Sequence, residues 1–182
     1  MKTKIVFHHA KLLEPFFLAD TLAQQSDYTE PSQEDYDRAM KENVEYWRSI
    51  EGDFNKTIHD VFGFNFERDI IDVYVVRGAR RSMSKPLIVT FRSDREIFVS
   101  TLIHELLHVL FRENQYNPGF SEEENSVRTH IPVFAFLEKF YTEIKPNRNF
   151  VEKLKSKAKS PLYKRAWEIV NQKGYKNILN KK

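Results

Sequence analysis

A chain of 182 residues in which 41% are hydrophobic, with 15 Phe, 8 Tyr and 2 Trp, can fill one sizeable core, so one domain, or one with a small appendage, is expected. The absence of cysteine excludes a disulfide framework, a thiolate metal site and a cysteine nucleophile. The absence of any run of 18 apolar residues excludes a membrane-spanning helix. The net charge of +3 conceals an asymmetry: residues 151–182 hold ten Lys or Arg against two Glu, which leaves 19 basic and 24 acidic residues, a net of −5, in 1–150. The expected organisation is a domain over 1–150 and a basic helical extension over 151–182, packed on the same domain. The N-terminal apolar runs are broken by His, Lys, Glu, Pro and Asp and make no clean signal peptide. With no cysteine to suit an oxidising compartment, a cytoplasmic location is expected.

In chain order, KIVF (4–7) reads as a short strand and 10–24 as a helix that Pro15 complicates. SDYTEPS (26–32) is a linker or helix entry. Tyr36, Met40, Val44, Trp47, Ile50, Phe54, Ile58 and Val61 then recur every three or four residues, a long helix with Gly52 as its candidate break. IIDVYVV (70–76) and LIVTF (87–91) are β-branched and aromatic and read as strands. Their link is too short for a comfortable helical crossover, so an antiparallel pair is expected. That link carries Arg77, Arg80, Arg81 and Lys85, either a solvated loop or a surface for an acidic substrate or a phosphate backbone. Ser93, with Glu96 three residues on, has the spacing of a capping box for a helix over about 94–112. Ser121 with Glu124 repeats that spacing before a helix towards Phe140, which Pro132 should kink or divide. Ser160 and Pro161 are placed to start the last helical segment. The fold class is α+β: mostly helical, with a small antiparallel sheet beside the helix over 94–112 and a helical C-terminal tail.

That helix contains His104-Glu105-Leu106-Leu107-His108. Two histidines four residues apart stack on one helical face and can each give one imidazole nitrogen to a tetrahedral zinc. Glu105 is turned about 100° from His104, at 3.6 residues per turn. There it can reach a water and act as general base, then acid. From this composition the expected number of accidental matches to the pattern is about 0.02. The surrounding helix is apolar nearly all round, with Phe98, Val99, Leu102, Ile103, Leu106, Leu107, Val109, Leu110 and Phe111, as in a buried core helix. Without a metal, the same histidines would have to bond backbone or acidic side chains.

The motif resembles that of the zincin metallopeptidases, and the strand-then-helix order over roughly 70–140 resembles their minimal scaffold. The resemblance implies one zinc per chain, hydrolysis of peptide bonds, and LIVTF (87–91) as an edge strand that binds extended substrate. The chain departs from the metzincin pattern, since no glycine and third histidine follow His108. It looks closer to the gluzincins, whose third ligand is a glutamate on a later helix. By that pattern Glu124 is the nearest fit, followed three and four residues later by Val127 and Arg128, although Glu124 is also the third residue of the Ser121 capping box. Glu123 is the runner-up, because it shares a face with Val127, His130, Ile131 and Phe134. Glu122 reads as an exposed first-turn residue. His130 is a further candidate ligand, a second-shell donor or a transition-state contact, and Tyr116 or Tyr163 a donor to a developing oxyanion. His8, His9 and His59 have no partner pattern and read as structural.

The leading function is therefore zinc-dependent hydrolysis of a peptide or protein substrate. The alternative is a catalytically silent or regulatory zincin-like binding protein, with nucleic-acid association through the basic segments as a weaker partner reading. The tail's opposite charge also allows it to fold back over the active site.

Overall fold

The strand β2 (Ile70–Val76) buries Ile71, Val73 and Val75 and exposes Ile70, Asp72 and Tyr74, the alternation of a strand with one dry face. A computed structural model describes residues 3–24 and 28–180. In it β2 pairs in parallel with β1 (Lys4–His9) and with β4 (Leu87–Thr90), while the two-residue β3 (Met83–Ser84) pairs antiparallel with β4. The order β1-β2-β4-β3 makes a mixed sheet. The antiparallel pairing of 70–76 with 87–91 expected from the sequence is not formed. Alternation reports that one face is wet and carries no information on direction. The chain reverses through β3, turns at residues 85–86 and inserts β4 between β2 and β3, so no crossover helix is needed.

β4 is therefore an interior strand and not the substrate-binding edge implied by the resemblance. Leu87 and Ile88 face Ser84 and Met83 on its outer side, and the Thr90 N–H donates to Ser82 Oγ at 3.0 Å. The start of the connection is held on a helix. Gly78 has φ +70°, and a Cβ there would lie 3.4 Å from the Leu18 backbone, a conformation and approach that glycine tolerates. The Thr21 hydroxyl donates to the Gly78 carbonyl.

The chain divides into two compact units, Met1–Gly52 with Phe66–Val109 and Asp53–Asn65 with Leu110–Lys182. The long helices α2 (Gln33–Phe62) and α3 (Arg95–Glu113) each begin in the first unit and end in the second. Gly52 does not interrupt α2, which continues through it.

In the first unit a 3-10 turn (Lys11–Leu13) leads into α1 (Glu14–Gln24), where Pro15 falls in the first turn and its missing N–H costs no helical bond. Ser26 and Asp27 of the expected linker lie outside the described residues, and 28–32 form no regular structure. Phe7 meets Phe98 at 6.3 Å between ring centroids and Tyr36 meets Phe91 at 4.8 Å, which places α2 and α3 against the dry side of the sheet. Glu14, only 7% exposed, ties the elements together. It accepts from Arg77 Nη2 at 2.7 Å and Nε at 2.9 Å, and its Oε1 lies 2.7 Å from His9 Nε2.

In the second unit α4 (Asn125–Lys139) runs into a π-helical turn (Phe140–Ile144) and is followed by α5 (Arg148–Ser156), α6 (Pro161–Lys173) and α7 (Tyr175–Leu179). Pro132 does not divide α4: it is buried among Ile131, Val133 and Phe134, and packing outweighs one lost backbone bond. Ser160 and Pro161 start α6 as read from the sequence. Both α6 and α7 pack on α4, with Trp167 stacked on Phe134 at 4.6 Å. The basic tail is pinned by acidic partners, Lys155 to Glu138 at 3.2 Å and Tyr175 Oη to Glu143 at 2.8 Å. Among the described residues no helix is long and apolar enough to cross a membrane.

The Glu14 network generates a pH prediction. Burial alone would raise the Glu14 carboxyl, but the bonds from Arg77 and His9 overcome it and hold the group at about 2, against an ordinary value of 4.5. Its stabilisation is therefore complete above about 4.5 and is lost as pH falls towards 2. Glu14→Ala should cost about 3 kcal/mol in denaturant unfolding at pH 7, because it leaves Arg77 with one buried partner fewer. The gap between variant and wild type should narrow steadily below pH 4.5; a gap independent of pH would contradict the assignment.

Candidate metal centre

Helix α3 starts one residue later than its sequence signal suggested. Asp94, rather than Ser93, caps it, with Oδ1 accepting from the N–H groups of Glu96 at 3.0 Å and Ile97 at 3.1 Å. An aspartate accepts both N–H groups and adds negative charge at the positive end of the helix dipole. Beyond the cap the helix is dry, as its composition implied: Phe98, Val99, Leu102, Ile103, Leu106, Leu107 and Leu110 have no exposed surface.

Two turns into this apolar helix come three polar side chains in five positions. His104 is 9% exposed, Glu105 8%, and His108 half-buried. The i, i+4 spacing brings His104 Nε2 and His108 Nε2 to 3.2 Å, with the rings at 65°. Two nitrogens bound at about 2.05 Å to a tetrahedral zinc stand about 3.3 Å apart. The observed separation fits that geometry.

Glu105 is in a different electrostatic position. Burial, uncompensated by any cation, raises its carboxyl from 4.5 to about 7. A carboxyl there can hold or release a proton near neutrality, the property a general base and acid needs.

Helix α4 contributes His130. Its Nδ1 lies within hydrogen-bonding distance of the Ser126 carbonyl, which can only accept, so Nδ1 carries the proton and the lone pair of the ring is on Nε2. Burial lowers the pKa of His130, with the Ser126 carbonyl acting in the opposite sense, and the neutral form is the one that binds metal. The ring packs against Tyr163 at 4.6 Å and Phe134 at 5.7 Å. His104, His108 and His130 each offer a ligand atom, and these atoms lie within 4.8 Å of one another, a group able to hold a metal ion.

Glu124 is exposed and is the N-cap residue of α4, without a side-chain capping bond; its carbonyl accepts from the Arg128 N–H at 2.9 Å. The helix therefore begins at Asn125, and Ser121 lies in a preceding turn, so the second capping box is not formed. Glu123 is engaged by α6: Arg165 donates to both its oxygens, at 2.6 and 3.2 Å, which lowers its pKa. Glu122 is exposed. Tyr116 belongs to an aromatic cluster with Phe62, Phe64 and Phe111, and burial raises its pKa. Tyr163 is the aromatic neighbour of His130. His8 pairs with Asp72 and His9 with Glu14, each at 2.7 Å. Arg77 is held by Glu14 and Glu30, whereas Arg80, Arg81 and Lys85 are exposed. The signal for His130 was available in its place on the apolar stripe with Val127, Ile131 and Phe134.

Fold and site together define a mostly helical α+β protein with a small mixed sheet and a histidine cluster suited to a metal. No family model, curated protein or solved structure matches the chain.

The raised Glu105 carboxyl makes a prediction for metal-free protein. Between pH 4.5 and 7 the folded chain retains a proton that the unfolded chain has released, so this group lowers stability as pH rises. Glu105→Gln, which removes the charge, should stabilise the metal-free protein at pH 8 by on the order of 3 kcal/mol and be near neutral at pH 4. Equal effects at both values, measured by urea unfolding in the presence of a chelator, would count against a buried carboxylate.

Proposed function

We propose that the chain is a zinc metallopeptidase in which His104, His108 and His130 hold the metal and Glu105 moves the proton. The observation that carries this reading is the approach of three imidazoles on a dry helix and its neighbour in sequence, with the buried Glu105 carboxyl next to one of them. The donor set fits zinc, since neutral imidazoles are borderline ligands and three of them match the ligand count of a catalytic site. Zinc held there supplies Lewis acidity, which lowers the pKa of a water and polarises a carbonyl. The Glu105 carboxylate accepts the proton that a water loses on attacking a peptide carbonyl. The resulting carboxylic acid then returns it to the departing amine nitrogen, which regenerates the carboxylate. The Ser126 carbonyl fixes the His130 tautomer, and the apolar wall of α3 limits water around the reacting groups. Tyr163 is the better placed of the two tyrosines to assist, because its ring lies against His130.

The zincin resemblance of the sequence motif supports the same reaction class. It also keeps Glu124 as the competing third ligand. Zinc affinity, measured by competition with a chromophoric chelator, separates the two. His104→Ala, His108→Ala and His130→Ala should each weaken zinc by about 100-fold or more, and Glu124→Ala and Glu123→Ala by no more than a few-fold. Loss of zinc in Glu124→Ala but not in His130→Ala would return the third position to the glutamate. Glu105→Gln should retain zinc and lose about a thousandfold in hydrolysis of a quenched-fluorescent peptide library. Full hydrolysis in that variant would remove Glu105 from the mechanism.

A further inference from the structure

The sheet ends on one side in β3, only two residues long, and on the other in β1, six residues long and in unbroken register with β2. Lys4 N–H donates to the Asp69 carbonyl and Ala10 N–H to the Val75 carbonyl, so the backbone groups of residues 4, 6, 8 and 10 turn towards β2. Those of Ile5, Phe7 and His9 turn outwards, a row of donors and acceptors with no strand beside it among the described residues. Sheet edges of this length are usually blunted by proline, a bulge or charge. β1 has neither proline nor bulge, and its one lysine sits at its first residue.

Beside this edge lies a cavity of about 470 Å³, formed by Phe7, His8 and His9 and by the flank of α2. Met40 and Val44 give it a half-buried apolar lining. Lys41 and Arg48, seven residues apart and exposed, stand over it with Glu45 between them. Neither cation has an ion-pair partner among the described residues.

We propose that β1 and this groove bind an extended acidic peptide, which adds as a further strand to the sheet. Edge-facing backbone groups supply the ladder, alternate side chains enter the groove, and Lys41 and Arg48 select carboxylates. This site is built from β1 and α2 and uses none of the three histidines, so it stands whether or not the chain hydrolyses peptides.

The test uses the full chain and a positional-scanning library of fluorescein-labelled hexapeptides, read by fluorescence polarisation with and without EDTA. The expected result is enrichment of Asp and Glu at alternate positions, unaffected by EDTA or by His104→Ala. The best peptide should lose about tenfold or more in affinity when N-methylated at the residues that face β1, and little at the others. Lys41→Glu with Arg48→Glu, at two exposed positions and with folding checked by thermal unfolding, should reverse the charge preference. No acidic enrichment, insensitivity to charge reversal, or equal tolerance of N-methylation at every position would overturn the proposal. So would a dimer in sedimentation that pairs β1 with its own copy and excludes the peptide.

Discussion

The structure depends on placing a carboxyl and two imidazoles on a helix that is otherwise dry. α3 has no exposed apolar surface over most of its length, which makes it a central packing element. Polar groups there are costly unless partnered, and the cost is visible in the pKa of about 7 at Glu105. Core leucine at these positions would pack without that penalty. A protein with His104, Glu105 and His108 there instead has given up stability at a place where dry surroundings strengthen electrostatic interactions. The neutral His130, its tautomer fixed by its own helix, has the same character.

The sequence disclosed elements better than their relations. The two histidines of α3 were legible as a pair because helical spacing alone puts residues 104 and 108 on one face, with Glu105 turned about 100° away, and the dryness of the helix was legible from its composition. The strands 70–76 and 87–90 were legible as strands, but not their direction. A half-exposed strand alternates whether its neighbour is parallel or antiparallel, and β3 was too short to leave a pattern. Capping was read one residue early at α3, because Ser93 and Asp94 are adjacent and either can cap. At α4 the capping spacing of Ser121 and Glu124 is real, but the chain turns there and the helix waits until Asn125.

For the third ligand, the family resemblance and the structure offer different candidates. The resemblance points to Glu124 or Glu123, which precede the first residue of α4, Asn125, and are not held on a helical face. His130, six residues past Glu124, shares a stripe of α4 with Val127, Ile131 and Phe134, and periodicity gives that place on the helix. The Arg165–Glu123 pair could not be read from sequence, since it joins residues 42 apart. The groove beside β1 was illegible for a related reason: only the sheet order tells which strand is last.

The central claim is that the polar residues of α3 exist to hold a metal with His130. Native mass spectrometry of the chain, purified in zinc-replete buffer and sprayed from ammonium acetate, tests it most directly. The account predicts a single species one zinc heavier than the polypeptide, converted to the bare mass by a strong chelator and restored by one equivalent of zinc. A spectrum showing only the bare polypeptide at equimolar zinc would contradict it, and the histidines would then be ordinary core side chains bonded to their neighbours.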